Sequence, residues 1–346
     1  MKKLKPPGYI LCTLLLFTYC TAGEPEIETF TDRIPQQQDE RVISKEIMLE
    51  PVVNLTQLGI FSPGRINLIG DYIMWSDFRS GRLLGINPVG GDQLFSIGSR
   101  QGSGPGETGR ISGFVLYDDR VIAIDRQNMK IIHWDYWTGE FITEFKIEGY
   151  HPQHLQFLSD NLFVVQSMRQ HGALFYLIDS TGKIVGSVAD STNHIGHPMK
   201  TAGHMSSSDD AFYFAGFSEP ILRKYSSDGE LFFSRATIDN YDTSEQYTET
   251  AFEGGGRAFG FADDARYAAL YLKHYDGYLI AANSNNGVRG DNFIDIYDGE
   301  NGDYMASWLT DRQVTGFAII DDVLYTKGLI DDDIYLLGAS VEGYFP

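Results

Sequence analysis

Residues 112–146 read Ser112-Gly-Phe-Val-Leu-Tyr117, Asp118-Asp-Arg-Val-Ile-Ala-Ile-Asp125, Arg126-Gln-Asn-Met-Lys-Ile-Ile-His-Trp-Asp135 and Tyr136-Trp-Thr-Gly139-Glu-Phe-Ile-Thr-Glu-Phe-Lys146. Short β-branched and aromatic runs broken by Asp and Gly predict four strands, at roughly 112–117, 120–125, 130–135 and 140–146. The same unit recurs along the chain. An acidic turn residue followed by a hydrophobic strand appears at Asp71, Asp119, Asp160, Asp210, Asp276 and Asp322, at spacings of 48, 41, 50, 66 and 46. A Gly-closed turn before an alternating strand appears at Gly91, Gly139, Gly182, Gly229 and Gly302. Both series stretch in the same place, so one insertion within about 239–264 accounts for both.

Four antiparallel strands every 40–50 residues are the signature of a propeller blade. One such sheet cannot bury both of its faces, and radial packing supplies the missing partners. Six inner-hairpin signatures predict an all-β, six-bladed β-propeller, with blades at about 65–98, 111–147, 152–190, 201–238, 265–311 and 313–338. The sixth blade lacks an outer strand, while the strand-like segment 44–53 has no partner. That segment is expected to close the ring on the last blade. Two stacked β-sandwiches, the rival architecture, need no 45-residue period.

The remaining segments are simpler. Lys2, Lys3 and Lys5, an apolar run from Tyr9 to Tyr19 and small residues at Thr21, Ala22 and Gly23 have the three parts of a secretory leader, too short for a membrane span. Residues 1–23 are read as a signal peptide, 24–42 as a flexible linker and 43–346 as a single domain. Both cysteines, Cys12 and Cys20, lie in the leader, so the exported domain is expected to have no disulfide. Cys20 is the candidate lipid anchor. Phe17 and Tyr19 occupy the places where that signal has a branched aliphatic and a small residue, and plain cleavage after Ala22 or Gly23 is the alternative. The net charge of −20, about −23 without the three leader lysines, argues against a nucleic-acid partner and against electrostatic docking on anionic lipid.

Ile97-Gly98-Ser-Arg100-Gln-Gly102-Ser-Gly104-Pro105-Gly106-Glu107 looks like the glycine-rich inter-blade loop of bacterial six-bladed propellers. With the strand from Val121, the Asp125-Arg126-Gln-Asn128 turn and the Gly139 turn, the succession over 97–141 is similar to an NHL-type blade. It also resembles the TolB-like propellers of bacterial envelopes. The resemblance implies an exported protein of the periplasm, outer membrane or cell surface, many such proteins carrying a lipoprotein leader. Some similar propellers are metal-dependent lyases.

In a propeller the links between blades and the turn after each second strand share one face, around the channel mouth. Six of the eight His and nine of the sixteen Arg fall on or beside those positions. Arg's planar fork binds carboxylate, phosphate or sulfate bidentately, so an oxyanion site is expected at the mouth. Its candidate residues are Arg100, Gly104, Gly106, Arg126, His151, His154, Arg169 and Arg257. Gly104 and Gly106 enter because a Gly-rich loop can turn amides outward as an anion nest. The competing readings are a tight blade crossing for the loop, and Arg pairing with acids such as Asp77 and Asp125. His194, His197 and His204 are candidate metal ligands, although Gly and Pro between them make the spacing undiagnostic. The insertion 240–264 is a candidate lid or partner contact. The expected function is non-catalytic binding by a monomer of a small molecule, glycan or envelope protein, with no cofactor required. The alternative is a metal-assisted lyase or hydrolase at the rim His.

Overall fold

The structure, a computed structural model, describes residues 33–88, 94–98, 100–167, 173–188, 198–252, 257–263, 265–284 and 292–345. Six antiparallel sheets are arranged around a central channel, each contributing its innermost strand to the wall. Blade one comprises Pro63–Ile69, Tyr72–Asp77, Arg82–Ile86 and Leu94–Ile97. Blade two comprises Ile111–Tyr117, Arg120–Asp125, Lys130–Asp135 and Phe141–Lys146. Blade three comprises Pro152–Ser159, Leu162–Ser167, Phe175–Ile178 and Ile184–Val188. Blade four comprises Gly203–Ser207, Ala211–Gly216, Ile221–Ser226 and Leu231–Ala236.

The N-terminal segment closes the ring on the last blade, as expected, and also adds a strand to the blade before it. Glu50–Asn54 is the antiparallel outer strand of blade six, beside Phe317–Ile320, Val323–Ile330 and Asp333–Ser340. Just upstream, Ile43–Ile47 runs parallel to Tyr304–Thr310 as a fifth strand of blade five, which also contains Tyr267–Tyr275, Tyr278–Ser284 and Asn292–Asp298. One short segment therefore stitches two blades.

Strand periodicity explains how the blades adhere. Side chains of successive strand residues point to opposite faces. In the second strand of blade two, Val121 and Ala123 pack toward blade one, while Ile122 and Ile124 pack toward blade three. Six hydrophobic clusters result, one in each gap between neighbouring blades. Ile47 and Leu49 fill the gap between blades five and six, and Leu55 and Ile60 the gap between six and one.

The linker expectation is corrected over residues 33–42. Ile34 pairs with the edge of blade four through Ser234 and Ala236. The Gln36 amide donates to the carbonyls of Ala236 at 2.7 Å and Gly302 at 2.9 Å. Arg41 Nε donates to Asp295 at 2.8 Å, and Nη1 donates to Asp239 at 2.7 Å. Burial disfavours the Arg41 charge, but Asp295 and Asp239 more than offset it and raise the pKa above its ordinary value. Polar composition had the look of a linker because these residues bond by side chain to blade edges instead of packing apolar faces. Residues 24–32 and the leader, Cys20 included, lie outside the described residues.

Candidate functional site

On each innermost strand the residues facing the channel alternate with residues buried between blades. Arg65 and Asn67 therefore face inward from blade one while Ile66 is buried beside blade six. His154 and Gln156 do so from blade three, His204 from blade four, and Tyr271 and Lys273 from blade five. Arg65 reaches across to meet them. Its guanidinium contacts His154 Nδ1, lies 3.2 Å from His154 Nε2 and donates to His204 Nδ1 at 3.1 Å. It also sits 5.9 Å from the centroid of the Tyr271 ring. A guanidinium only donates, so His154 and His204 each accept from it through Nδ1 as neutral rings, and His154 Nε2 carries that ring's N–H. Burial, with Arg65 close by, holds the pKa of both His well below the usual value. Burial also pulls Arg65 itself down to about 10.

This layer divides the channel into two cavities. Above it, on the face of the blade links, is a cavity of about 320 Å³ whose wall includes Arg65, Arg110, Arg126, His154 and Lys327. Among the described residues, no Asp or Glu lines it. Arg126 donates to Gln153 at 2.7 Å, and its pKa is lowered by burial and by the neighbouring Arg110 charge. Arg110 stacks over Phe78 at 5.3 Å. Lys327 donates to the carbonyls of Pro63 at 2.6 Å and Gly64 at 2.7 Å, and burial, then Arg65, lowers it to about 8. Below the layer, a cavity of about 240 Å³ is lined by Asn67, Gln156, Ser207 and Lys273 among others.

The acids proposed as alternative partners for Arg are otherwise engaged. Asp125 accepts the main-chain N–H groups of Gly109, Arg110, Gln127 and Asn128. Asp77 accepts from the Ser80 N–H, and its other oxygen is buried without a partner. Neither carboxylate neutralises the cavity cations.

Of the residues expected around one opening, Arg126 and His154 are brought together in the upper cavity. The glycine-rich loop is not part of that wall. Its Gly104 and Gly106 amides do bind anions, but those anions are the chain's own Glu107, at 3.0 Å, and Glu144, at 3.1 Å. Arg100 pairs with Glu107 at 2.6 Å and is 79% exposed; this bond, then the Gly104 amide, lowers the Glu107 pKa. Lys130 and Asn128 fasten the loop by its Gly104 and Gly102 carbonyls. The loop is thus a blade crossing with its nest already filled. His151 is exposed on its link, away from the wall. Arg169, His194 and His197 lie outside the described residues, as does the side chain of Arg257.

His204, a candidate metal ligand, accepts from Arg65 through Nδ1. Among the described residues no three His, Cys, Asp or Glu side chains converge to hold a metal. The insertion forms a hairpin, Tyr247–Ala251 with Arg257–Phe261, anchored where Thr243 and Tyr247 donate to buried Glu219. None of its described residues lines either channel cavity.

No protein-family model and no curated protein sequence matches the chain. Solved structures do. A protein assigned as exported from Bacteroides fragilis superposes with a TM-score of 0.58 at 12% identity, covering 89% of this chain and 98% of that one. A streptogramin B lyase aligns with a TM-score of 0.49 at 12% identity over 80% of this chain and 78% of that one. At such identity the likeness shows the fold: this chain is a six-bladed β-propeller with four-stranded antiparallel blades, closed by its N-terminal strands.

Proposed function

We propose that the protein is an exported, monomeric binding propeller of the cell envelope that takes an oxyanion-bearing ligand, free or displayed on a glycan or protein, at its channel mouth. One observation carries this reading. A chain of net charge −20 gathers Arg65, Arg110, Arg126 and Lys327 around one cavity with no carboxylate among the described residues of its wall. Placing four cations together without a counter-ion is unfavourable unless an anion arrives. Binding is supported over acid–base chemistry because both channel imidazoles are tied to Arg65 with strongly depressed pKa values, far from the range of an efficient general base at neutral pH. The leader supports export, and Cys20 is the residue through which a lipid would attach.

Calorimetric titration of the exported chain with inorganic phosphate, and separately with acetate, tests the reading. Arg126→Glu is expected to weaken the bound anion by about 1.5–3 kcal/mol, roughly ten- to 150-fold. Equal affinity in the wild type and the reversal would discard the mouth as the site.

A further inference from the structure

The cationic cavity does not end at its own rim. Beside it, across the seam between blades six and one, lies a groove of about 480 Å³. The two share Pro63, Thr315 and Lys327 as a common wall. Beyond Lys327 the groove is floored by Phe61, Leu329 and Ile334. Lys327 and Leu329 are two apart on one strand and so share a face, and Leu329 pairs directly with Ile334 on the next. Leu329 is 70% exposed and Phe61 52% exposed, large apolar surface left open to water next to an unneutralised ammonium. Among the described residues, the only charged side chain of the groove besides Lys327 is Arg312, which is paired with Asp311 at 3.0 Å. Cation at one end and exposed hydrocarbon at the other form a continuous surface.

We infer, building on the oxyanion reading of the mouth, that the ligand is a small amphipathic anion. Its carboxylate or phosphate head would sit among Arg126, Arg65 and Lys327, and its aliphatic or aromatic tail along Phe61, Leu329 and Ile334. Charge complementarity selects the head. Two of the three Lys327 donors are used on carbonyls, which leaves one for an incoming oxygen. The tail is selected by the apolar floor, which a compact inorganic anion would leave wet. A neutral alkane-like ligand would gain the floor while leaving the cations unanswered.

Calorimetry with paired probes tests the inference: octanoate against acetate, and octyl phosphate against inorganic phosphate. The longer member of at least one pair is expected to bind about thirtyfold tighter, the gain from burying two to three methylenes. Leu329→Ser should shrink that ratio several-fold and leave the short anion unchanged, since the residue is exposed and carries no fold-defining contact in the cavity above. 1-Octanol should bind more weakly than octanoate. Equal affinities within both pairs would overturn the amphipathic inference and leave the oxyanion reading standing. Absence of binding by all four anions would overturn both. Octanol binding as tightly as octanoate, or association with anionic vesicles without any binding of free octanoate, would also defeat the proposal.

Discussion

Lys327 sits where charge and burial compete. Its ordinary pKa of 10.5 falls to about 8 through desolvation and the nearby Arg65 charge. Below pH 8 the folded protein therefore retains the ammonium, and above it the cavity loses one cation. Anion affinity is expected to be highest below pH 8 and to decline as the pH rises toward 10, with the decline flattened in Lys327→Met. Calorimetry across that range checks it; a pH-independent affinity in the wild type would remove Lys327 from the site. The stability consequence has the opposite sense. Between pH 8 and 10.5 the unfolded chain binds more protons at this residue than the folded one, so folding gains from rising pH in that window. His154 and His204 act in the same direction at lower pH: their folded values are depressed, so their contribution is lost as pH falls below the ordinary His value of 6.5.

At the scale of the element, the recurrent Gly turn is an inter-blade contact. Gly139 has φ +70°, and a Cβ there would lie 2.8 Å from the Ser96 carbonyl oxygen on the outer strand of blade one. Gly277 has φ +79° in the inner hairpin of blade five, with nothing near an added Cβ. Gly277→Ala is therefore expected to cost only the left-handed strain, about 1–2 kcal/mol. Gly139→Ala should cost more, up to about 3 kcal/mol, because backbone on the facing blade cannot yield. Denaturant unfolding of both variants measures the difference, and equal losses would mean that the turn does not set blade spacing. These turns are also why the architecture was legible. Asp and Gly at fixed offsets reflect backbone requirements that any blade must meet, so periodicity exposes them. The Arg65 layer was not legible in the same way. Its polar alternation, Arg65 then Asn67 in an apolar strand, marks a channel-facing row. Its partners, His154 and His204, lie 89 and 139 residues away, and only ring closure brings them to it. Arg126 was placed on that face by its turn position, whereas His154, expected on a link, reaches the same cavity from the start of an innermost strand. The glycine loop misled because Glu107 and Glu144, not a ligand, satisfy its amides.

For the whole molecule, the ring is held by a closure that begins earlier than the strand pairing alone would require. Glu50–Asn54 completes blade six, Ile43–Ile47 extends blade five, and Arg41 fastens the approach to both by bridging Asp239 and Asp295. Asp295 is 1% exposed, so removing the guanidinium would strand a buried carboxylate. Arg41→Met is expected to destabilise by about 3–5 kcal/mol, the range for breaking one partner of a buried pair. Three truncations separate the contributions. Removal of residues 1–32 is the reference, since it spares every N-terminal contact described above. Removal of 1–42 should lower stability about as much as Arg41→Met or more, because Gln36 and the Ile34 bridge go with it. Removal of 1–54 strips both strands, leaves the outer edge of blade six unpaired and exposes the clusters that Ile47 and Leu49 seal. Such an edge is a template for intermolecular pairing, so this variant should aggregate, not melt cooperatively. Thermal unfolding and light scattering on the series distinguish the steps. If the 1–54 truncation stayed monomeric and melted with the reference, closure would have to reside in blades one and six alone.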